Sequence, residues 1–233
     1  MAIRCKYESS SDIGVFSLLT NSYCLVGQGS SENFFAEFED ELAPHIPVIH
    51  SNVANTRIVG SLLCGNKKGL LVPSIITDNE FKHLRNSLPD SVKIRKVDDR
   101  ISALGNCISC NDYVALVHPE MDKESEEIVA DVLDVEVFKT TVAGNALVGT
   151  YSVFNNVGGV VHPSTSIEEY EELANLMQVQ IGAATINRGS ESLGSGIVVN
   201  DWVAFVGKEC TSAEIDNLEK IFKISKKESF MLD

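Results

Sequence analysis

Residues 103–119 read ALGNCISCNDYVALVHP and decide the fold, because the chain writes this pattern five times. The apolar residue Leu104 and the glycine Gly105 open the stretch. The pair Asn111-Asp112 then indicates a turn, since asparagine and aspartate tolerate left-handed backbone. The apolar run 114–117 follows, and His118-Pro119 ends it. The stretch predicts two short strands joined by a tight turn.

The same pattern recurs at intervals of about 45 residues. Its opening pairs of an apolar residue and a glycine are Ile13-Gly14, Val59-Gly60, Leu104-Gly105, Val148-Gly149 and Leu193-Gly194. Its turn residues are Thr20, Asn66, Asn111, Asn155 and Asn200. A second apolar run, a helical pattern and, in most copies, a third apolar stretch follow each turn. Each copy therefore predicts a strand–strand–helix–strand unit whose first strand starts near the glycine.

Helix starts are marked by capping boxes, in which two side chains satisfy each other's exposed backbone donors. The three candidate boxes are Thr77 with Glu80, Ser166 with Glu169, and Thr211 with Glu214. They place the predicted helices directly after the second strand of their copies.

We predict an α+β protein: a closed ring of five ββαβ repeats with five-fold pseudosymmetry, in one domain over residues 1–224. The repeats lie near 12–56, 57–101, 102–145, 146–190 and 191–224. The last copy lacks a clear third strand, and residues 1–7 alternate like a spare strand. We expect residues 1–7 to complete the last copy and close the ring, which protects the sheet edges that a linear array would expose. Residues 225–233 are expected to form a short C-terminal tail.

Composition limits the classes of function. The net charge of −14 argues against unspecific nucleic-acid binding over the whole surface and favours a basic macromolecular partner. Residues 57–100 depart from this balance, with nine Lys/Arg and five Asp/Glu. No apolar run of about 18 residues indicates a membrane span, and residues 1–4 begin no secretory signal. We expect an intracellular protein with reduced cysteines.

Few motifs suggest chemistry. Cys107-x-x-Cys110 lacks the second pair that a structural zinc site needs, so both cysteines are interpreted as small strand residues. His118 and His162 occupy matching repeat positions before prolines and are interpreted as residues at strand ends. The glycine-rich stretches 158–159 and 194–196 lack the spacing and lysine of a phosphate-binding loop, and we expect turn geometry and close packing around the ring axis. We predict no catalytic residue and no metal ligand.

Polar and cationic residues recur at the junctions between copies, where they would project on one face of a ring. The candidates are Arg57, Arg100, Asn106, Tyr151, Asn187 and Arg188. From position alone, the junction residues suit a solvated rim as well as a binding face, and Tyr151 suits the core as well as an interface anchor.

Longer strings carry a resemblance. LTNSYCLVGQGSSENFF, NSLPDSVKIRKV, ALGNCISCNDYVALVHPEMD, EEIVADVLDVEVF, TINRGSE and VVNDWVAF together resemble the eukaryotic translation initiation factor 6 family, from Met1 to about Ile224. The resemblance implies a pentein fold, also described as an α-β propeller, and a protein that is not an enzyme. It also implies that Asn106 and Tyr151 belong to a ribosome-binding face.

The family resemblance implies the following biology. Such a protein binds the joining face of the large ribosomal subunit and blocks premature association with the small subunit. It acts in large-subunit biogenesis and export, in the cytoplasm and the nucleus or nucleolus. Its neighbours are a basic ribosomal protein and the sarcin–ricin loop of rRNA, and its release involves the Shwachman–Diamond protein and an elongation-factor-like GTPase. We expect a monomer with no cofactor and no membrane attachment.

Two departures from the family and one alternative remain. The chain ends at Asp233 without the longer serine-bearing tail of animal and fungal members, and Ala174-Asn175 replace paired serines of the fourth helix. Control by phosphorylation at these places is therefore not expected. The alternative function is that of a guanidine-modifying enzyme, since penteins include such hydrolases and transferases.

Overall fold

The computed structural model describes residues 1–30 and 32–224 and contains five three-stranded sheets. In chain order the strands are β1 (Ala2–Cys5), β2 (Ser17–Leu19), β3 (Cys24–Gly27), β4 (Val48–Ser51), β5 (Cys64–Gly65), β6 (Gly69–Pro73), β7 (Lys93–Val97), β8 (Ile108–Cys110), β9 (Val114–Val117), β10 (Glu136–Lys139), β11 (Ser152–Phe154), β12 (Gly158–Val161), β13 (Gln180–Ala183), β14 (Ile197–Val199) and β15 (Ala204–Gly207). The predicted tail at 225–233 lies outside the described residues.

Every sheet has the same topology, with the first strand antiparallel and the third parallel to the second. In the third repeat Ile108 faces Val117 across the hairpin, and Glu136 pairs with Val114. The fifth sheet takes its third strand from the start of the chain, because β1 pairs in parallel with β15. The Met1 amine also donates to the carbonyl of Ile224 at 2.9 Å. The closed ring of five ββαβ units and the role of the N-terminal strand are as expected from the sequence.

Two kinds of helix occur in the described residues. The long helices are α1 (Asn33–Leu42), α3 (Asp78–Ser87), α5 (Lys123–Leu133), α7 (Ile167–Met177) and α9 (Ser212–Phe222). The short axial helices are a 3-10 turn (Ile13–Val15), α2 (Val59–Leu62), α4 (Leu104–Cys107), α6 (Val148–Tyr151) and α8 (Leu193–Gly196). None of the helices in the described part of the chain is long and apolar enough to cross a bilayer.

The axial helices correct one prediction, since the glycine of each copy lies in a helical turn and the first strand begins after that turn. The reason is contact between repeats. A Cβ on Gly105 would lie 1.9 Å from the carbonyl oxygen of Gly60, and a Cβ on Gly149 would lie 2.1 Å from that of Gly105. Only glycine allows the backbones to approach this closely. The axial glycines, one from each repeat, are Gly14, Gly60, Gly105, Gly149 and Gly194.

A second ring of contacts closes the opposite end of the axis. The side-chain amide of Asn66 donates to the carbonyl of Asn111 at 3.2 Å, and that of Asn111 donates to the carbonyl of Asn155 at 3.4 Å. The series continues from Asn155 to Asn200 at 3.1 Å and from Asn200 to Thr20 at 3.3 Å. The turn residues therefore link all five repeats with hydrogen bonds.

Apolar clusters fill the spaces between neighbouring repeats. Leu84 of α3 is buried with Leu25 of β3 and Leu70 of β6, so this helix packs between the first and second sheets. A cavity of about 110 Å³ remains on the axis between the glycine and asparagine rings.

The predicted helix caps are confirmed at Thr77 and Thr211, where both halves of the capping box form. At Ser166 only one half forms: the amide of Glu169 donates to the Ser166 hydroxyl, whereas the Glu169 carboxylate accepts from the hydroxyl of Thr141 and the amide of Gly144. The full capping box predicted at Ser166 is therefore wrong.

Candidate docking face at the glycine end

Chain direction places the junctions between repeats at one end of the ring. The first strand of each repeat leads away from its axial glycine, and the second strand returns. The long helix runs out again, and the third strand comes back in parallel with the second. Each third strand therefore ends beside the axial glycines. We call this side the glycine end, and it carries all six candidate residues.

Glutamates on the long helices hold the junction turns. Ala54 and Asn55 adopt positive φ, and their amides donate to Glu80 at 3.0 and 2.8 Å. The same carboxylate caps α3 through Thr77. Burial alone would raise the pKa of Glu80, but hydrogen bonds from Asn55, Thr77 and Ala54 outweigh burial and hold the pKa below its usual value. This junction is therefore fixed by an ionised carboxylate.

A glutamate holds the junction turn before the fifth repeat in the same way. Glu214 accepts from the amides of Arg188 and Gly189 at 3.2 and 2.9 Å and also caps α9 through Thr211. Burial raises the pKa of Glu214, but the hydrogen bonds from Thr211, Gly189 and Arg188 prevail and leave it lowered. The backbone that carries Arg188 is therefore fixed, while its side chain forms no ion pair with residues 1–30 or 32–224.

Two of the candidate arginines form exposed ion pairs. Arg57 lies 3.1 Å from Glu8, which is in the turn between β1 and the first repeat, and Arg100 lies 2.9 Å from Glu120. Exposed pairs of this kind contribute only about 0–1 kcal/mol. Both guanidinium groups can therefore exchange their partners for groups on a docking surface.

Asn106 lies on the axial helix α4 and is half-buried. Its backbone amide donates to Ala103 at 3.0 Å. Within the described residues, its side-chain amide has no hydrogen-bond partner. The side chain therefore offers both a donor and an acceptor at the glycine end.

Tyr151 ends the axial helix α6 and is half-buried. Its ring packs edge-on against His162, with centroids 5.4 Å apart. His162 accepts the amide of Ser164 on Nδ1, so Nε2 carries the proton that it shares with Glu191 at 3.1 Å. Tyr151 is thus partly core and partly surface, with its position set by an oriented histidine.

The side chain and the backbone amide of Asn187 are both hydrogen-bonded within the fold. Its side-chain amide donates to the carbonyl of Ser11 at 3.0 Å, and its backbone amide lies 3.2 Å from the thiol sulfur of Cys210. These contacts join the end of the fourth repeat to Cys210 of the fifth and to Ser11, which directly precedes the first. The positive φ of 47° at Asn187 suits asparagine.

Sequence reasoning missed two exposed apolar residues at this end. Ile58 and Leu147 precede α2 and α6 at equivalent repeat positions and are 37% and 40% exposed. Their shared place before the axial glycine was the signal that could have identified them. They add apolar surface between the polar candidates.

Contrary to the prediction, Cys107 and Cys110 do not both lie in strand and turn structure. Cys107 ends an axial helix rather than lying in a strand, and the thiol of Cys110 lies 3.7 Å from that of Cys64 in the preceding repeat. Burial, with Asp99 nearby, raises the pKa of Cys107 to about 11. The hydrogen bond with Cys110, together with burial, raises the pKa of Cys64. Neither thiol has the lowered pKa of a nucleophile.

The histidine interpretation agrees with the structure. His118 accepts the amide of Glu120 on Nδ1, as His162 accepts that of Ser164, so both stabilise the turn after a second strand. No group of three or more His, Cys, Asp or Glu residues within 1–30 and 32–224 could hold a metal ion.

The chain is similar in sequence to known proteins over nearly its whole length. The sequence profile described as the eIF-6 family matches residues 2–221. The chain is 59% identical over 233 residues to eukaryotic translation initiation factor 6 of Tetrahymena thermophila, covering 100% of this chain and 95% of the relative. It is 60% identical over 224 residues to the protein of that name from Schizosaccharomyces pombe, covering 96% of this chain and 92% of the relative.

Solved structures share the fold at much lower identity. DDAH from Pseudomonas aeruginosa, in a mutant complexed with citrulline, is 10% identical with a TM-score of 0.51, covering 96% of this chain and 89% of that one. An AgrE mutant in complex with L-arginine is 11% identical with a TM-score of 0.53, covering 79% of this chain and 30% of that one. These similarities identify a pentein-like fold.

Proposed function

Because the chain belongs to the eIF-6 family, we propose that it is a translation initiation factor that binds the joining face of the large ribosomal subunit and excludes the small subunit. The observation that carries this proposal is 59–60% identity to proteins named eukaryotic translation initiation factor 6, spread over nearly the whole chain. A role in large-subunit biogenesis and export, in the cytoplasm and the nucleus or nucleolus, forms part of the same proposal.

We assign docking to the glycine end. Its junctions are held by Glu80 and Glu214, so little conformational freedom is lost on binding. Asn106 supplies a free amide, while Ile58 and Leu147 supply apolar surface for the centre of an interface. The assigned docking residues are Arg57, Arg100, Asn106, Tyr151, Asn187 and Arg188.

The partner we propose is a basic ribosomal protein beside the sarcin–ricin loop of rRNA. The chain's net charge of −14 favours encounter with a basic surface and makes the encounter sensitive to salt. No cofactor is needed for steric exclusion. Release is assigned to the Shwachman–Diamond protein with an elongation-factor-like GTPase.

The test is co-sedimentation with purified large subunits, followed by addition of small subunits. We expect the protein to pellet with large subunits and to reduce subunit joining. Asn106→Asp and Tyr151→Ala should weaken pelleting. Matched controls at the opposite end of the ring, Asn86→Asp and Tyr113→Ala, should not. Absence of co-sedimentation would overturn the function, and equal losses in both pairs would overturn the assigned face.

A guanidine-modifying enzyme is the second candidate, favoured by the fold of DDAH and AgrE alone. Raised pKa values at Cys64, Cys107 and Cys210 leave these thiols poor nucleophiles. The assay is turnover of arginine and amidine substrates by the purified protein. Robust turnover would reverse the ranking.

A further inference from the structure

We propose that the outer side of the second repeat is an RNA-binding surface that contacts the phosphate backbone. The residues that form it are Lys82 and Arg85 on α3 and Lys93, Arg95 and Lys96 on the edge strand β7. We call this set the basic patch. The inference does not depend on the function proposed above.

The basic patch is a local exception in an acidic ring. On α3, Lys82 and Arg85 balance Asp78 and Glu80, whereas the other four long helices each carry an excess of acidic residues. The contrast is greatest with α1 and α7, each of which has four acidic residues and no Lys or Arg. The strand β7 then adds three cations, while the corresponding strands of the other repeats carry at most one. The second repeat thus differs from the other four in the charge of its long helix and its third strand.

The cations of the basic patch are available to a partner. Lys82 and Arg85 are exposed and form no ion pair within the described part of the chain. Lys93 and Arg95 are 60% and 57% exposed and share one carboxylate, Asp131, at 3.8 Å each. One carboxylate between two cations leaves an excess positive charge. The Lys93 ammonium also donates to the carbonyl of Asp131 at 3.1 Å, and contacts between groups this exposed contribute little and are easily exchanged.

Lys96 joins the strand to the helix. Its ammonium lies 3.3 Å from Asp78 and 5.3 Å from the ring centroid of Phe81. Arg85 is one helical turn beyond Phe81 and therefore lies on the same side of α3. Lys96 faces α3, whereas Lys93 and Arg95 face α5 from the other side of the same edge strand, so the basic patch wraps around the edge of the sheet.

Protection of a sheet edge accounts for only part of this charge. Lysines on an edge strand discourage pairing with other strands, which suits Lys93, Arg95 and Lys96. Lys82 and Arg85 lie on a helix, where no edge needs protection. Together with the cations of β7, they extend the positive charge from the edge strand onto the helix.

The chemistry favours RNA over an acidic protein. No large apolar side chain of α3 or β7 is among the strongly exposed ones in the described residues. Protein interfaces depend on buried apolar or aromatic anchors, whereas phosphate contacts require cations and tolerate a polar surface. Screening limits repulsion from the rest of the ring, because the Debye length is about 8 Å at physiological salt.

The test measures binding of a labelled, mixed-sequence single-stranded RNA by fluorescence anisotropy at salt concentrations on both sides of about 0.15 M. We compare the wild type with Lys82→Glu/Arg85→Glu and with Lys93→Glu/Arg95→Glu. The matched control is Lys123→Glu/Lys220→Glu, which changes exposed lysines on α5 and α9 and alters the net charge equally. Circular dichroism and thermal unfolding check that each variant is folded.

We expect each patch variant to bind RNA about tenfold more weakly or worse, and the control to stay within about twofold of wild type. The slope of log affinity against log salt should become shallower by about 1.4 when two phosphate contacts are lost. Absence of RNA binding by the wild type, or an equal loss in the control, would overturn the proposal. Tighter binding of a polyglutamate peptide than of RNA would also overturn it and assign the surface to an acidic protein.

Discussion

Gly14 and Gly194, from the first and last repeats, pack backbone against backbone, and a Cβ on Gly14 would lie 2.1 Å from the carbonyl oxygen of Gly194. The same kind of contact links each of the remaining four pairs of neighbouring repeats. The axis is therefore closed by main-chain atoms. Stability of the ring should depend strongly on these positions.

The axial contact gives the first prediction. Gly105→Ala would place a methyl group 1.9 Å from the carbonyl oxygen of Gly60 and 2.7 Å from that of Leu63. We expect the free energy of unfolding to fall by about 3 kcal/mol or more, because backbone must move to make room. Urea denaturation measures the change. The control Ser61→Ala, on the neighbouring axial helix α2, should cost less than about 0.5 kcal/mol. Wild-type stability of Gly105→Ala would contradict the contact.

The asparagine ring gives the second prediction. The buried amide of Asn66 donates to the carbonyls of Asn111 and Leu133 at 3.2 and 2.9 Å. Asn66→Asp replaces these donors with a carboxylate that faces two acceptors, and we expect a loss of about 2–4 kcal/mol at neutral pH. Exposed Asn86→Asp is the control in the same urea experiment. If both substitutions cost the same, the ring is not a source of stability.

The junction carboxylates give a prediction about pH. Because the pKa of Glu80 is lower in the folded chain than its usual value, its ionised form stabilises the fold above that usual value. The contribution should disappear as the pH falls through the lowered pKa. Glu80→Gln should therefore be less stable than wild type at pH 7, and the difference should shrink toward pH 3. The exposed control Glu168→Gln should show little difference at pH 7, and a constant deficit for Glu80→Gln across this range would contradict the prediction.

Thiol reactivity gives the fourth prediction. The chain has six cysteines, of which Cys110 is half-buried and the others are buried. We expect an aromatic disulfide reagent at pH 7.5 to modify Cys110 first and the remaining thiols slowly, because burial raises the pKa of Cys107 to about 11 and that of Cys210 as well. All six should react in denaturant. Cys110→Ser should remove the fastest phase and Cys210→Ser should not; persistence of that phase in Cys110→Ser would refute the assignment.

The sequence predicted the architecture well because each repeat carries local signals. Turn asparagines, apolar runs and caps such as Thr77 and Thr211 specify structure within one copy. The axial helices escaped prediction because the requirement for glycine comes from a neighbouring repeat: the carbonyl of Gly60 excludes a side chain at Gly105. The contacts of Glu169 with Thr141 and Gly144 also escaped prediction, since they join residues 25–28 positions apart in the chain.

The candidate face was predictable in position but not in detail. Chain direction alone brings Arg57 and Asn106 to the same end of the ring. The hydrogen bonds and packing contacts of these side chains could not be predicted, because they join residues far apart in the chain. The amide of Asn187 is bound to Ser11, and Tyr151 packs against His162; neither partnership has a sequence signal.

Pairing of β1 with β15 makes the order of synthesis important. Of the fifteen strands in the described residues, Ala2–Cys5 leaves the exit tunnel first, and its partner Ala204–Gly207 leaves last. All strands of the other four sheets are synthesised before the fifth sheet can form, so the nascent chain must keep β1 unpaired until β15 has been made. Closure of the ring is therefore a late event, and a chain whose synthesis stops before β15 leaves that strand without its partner.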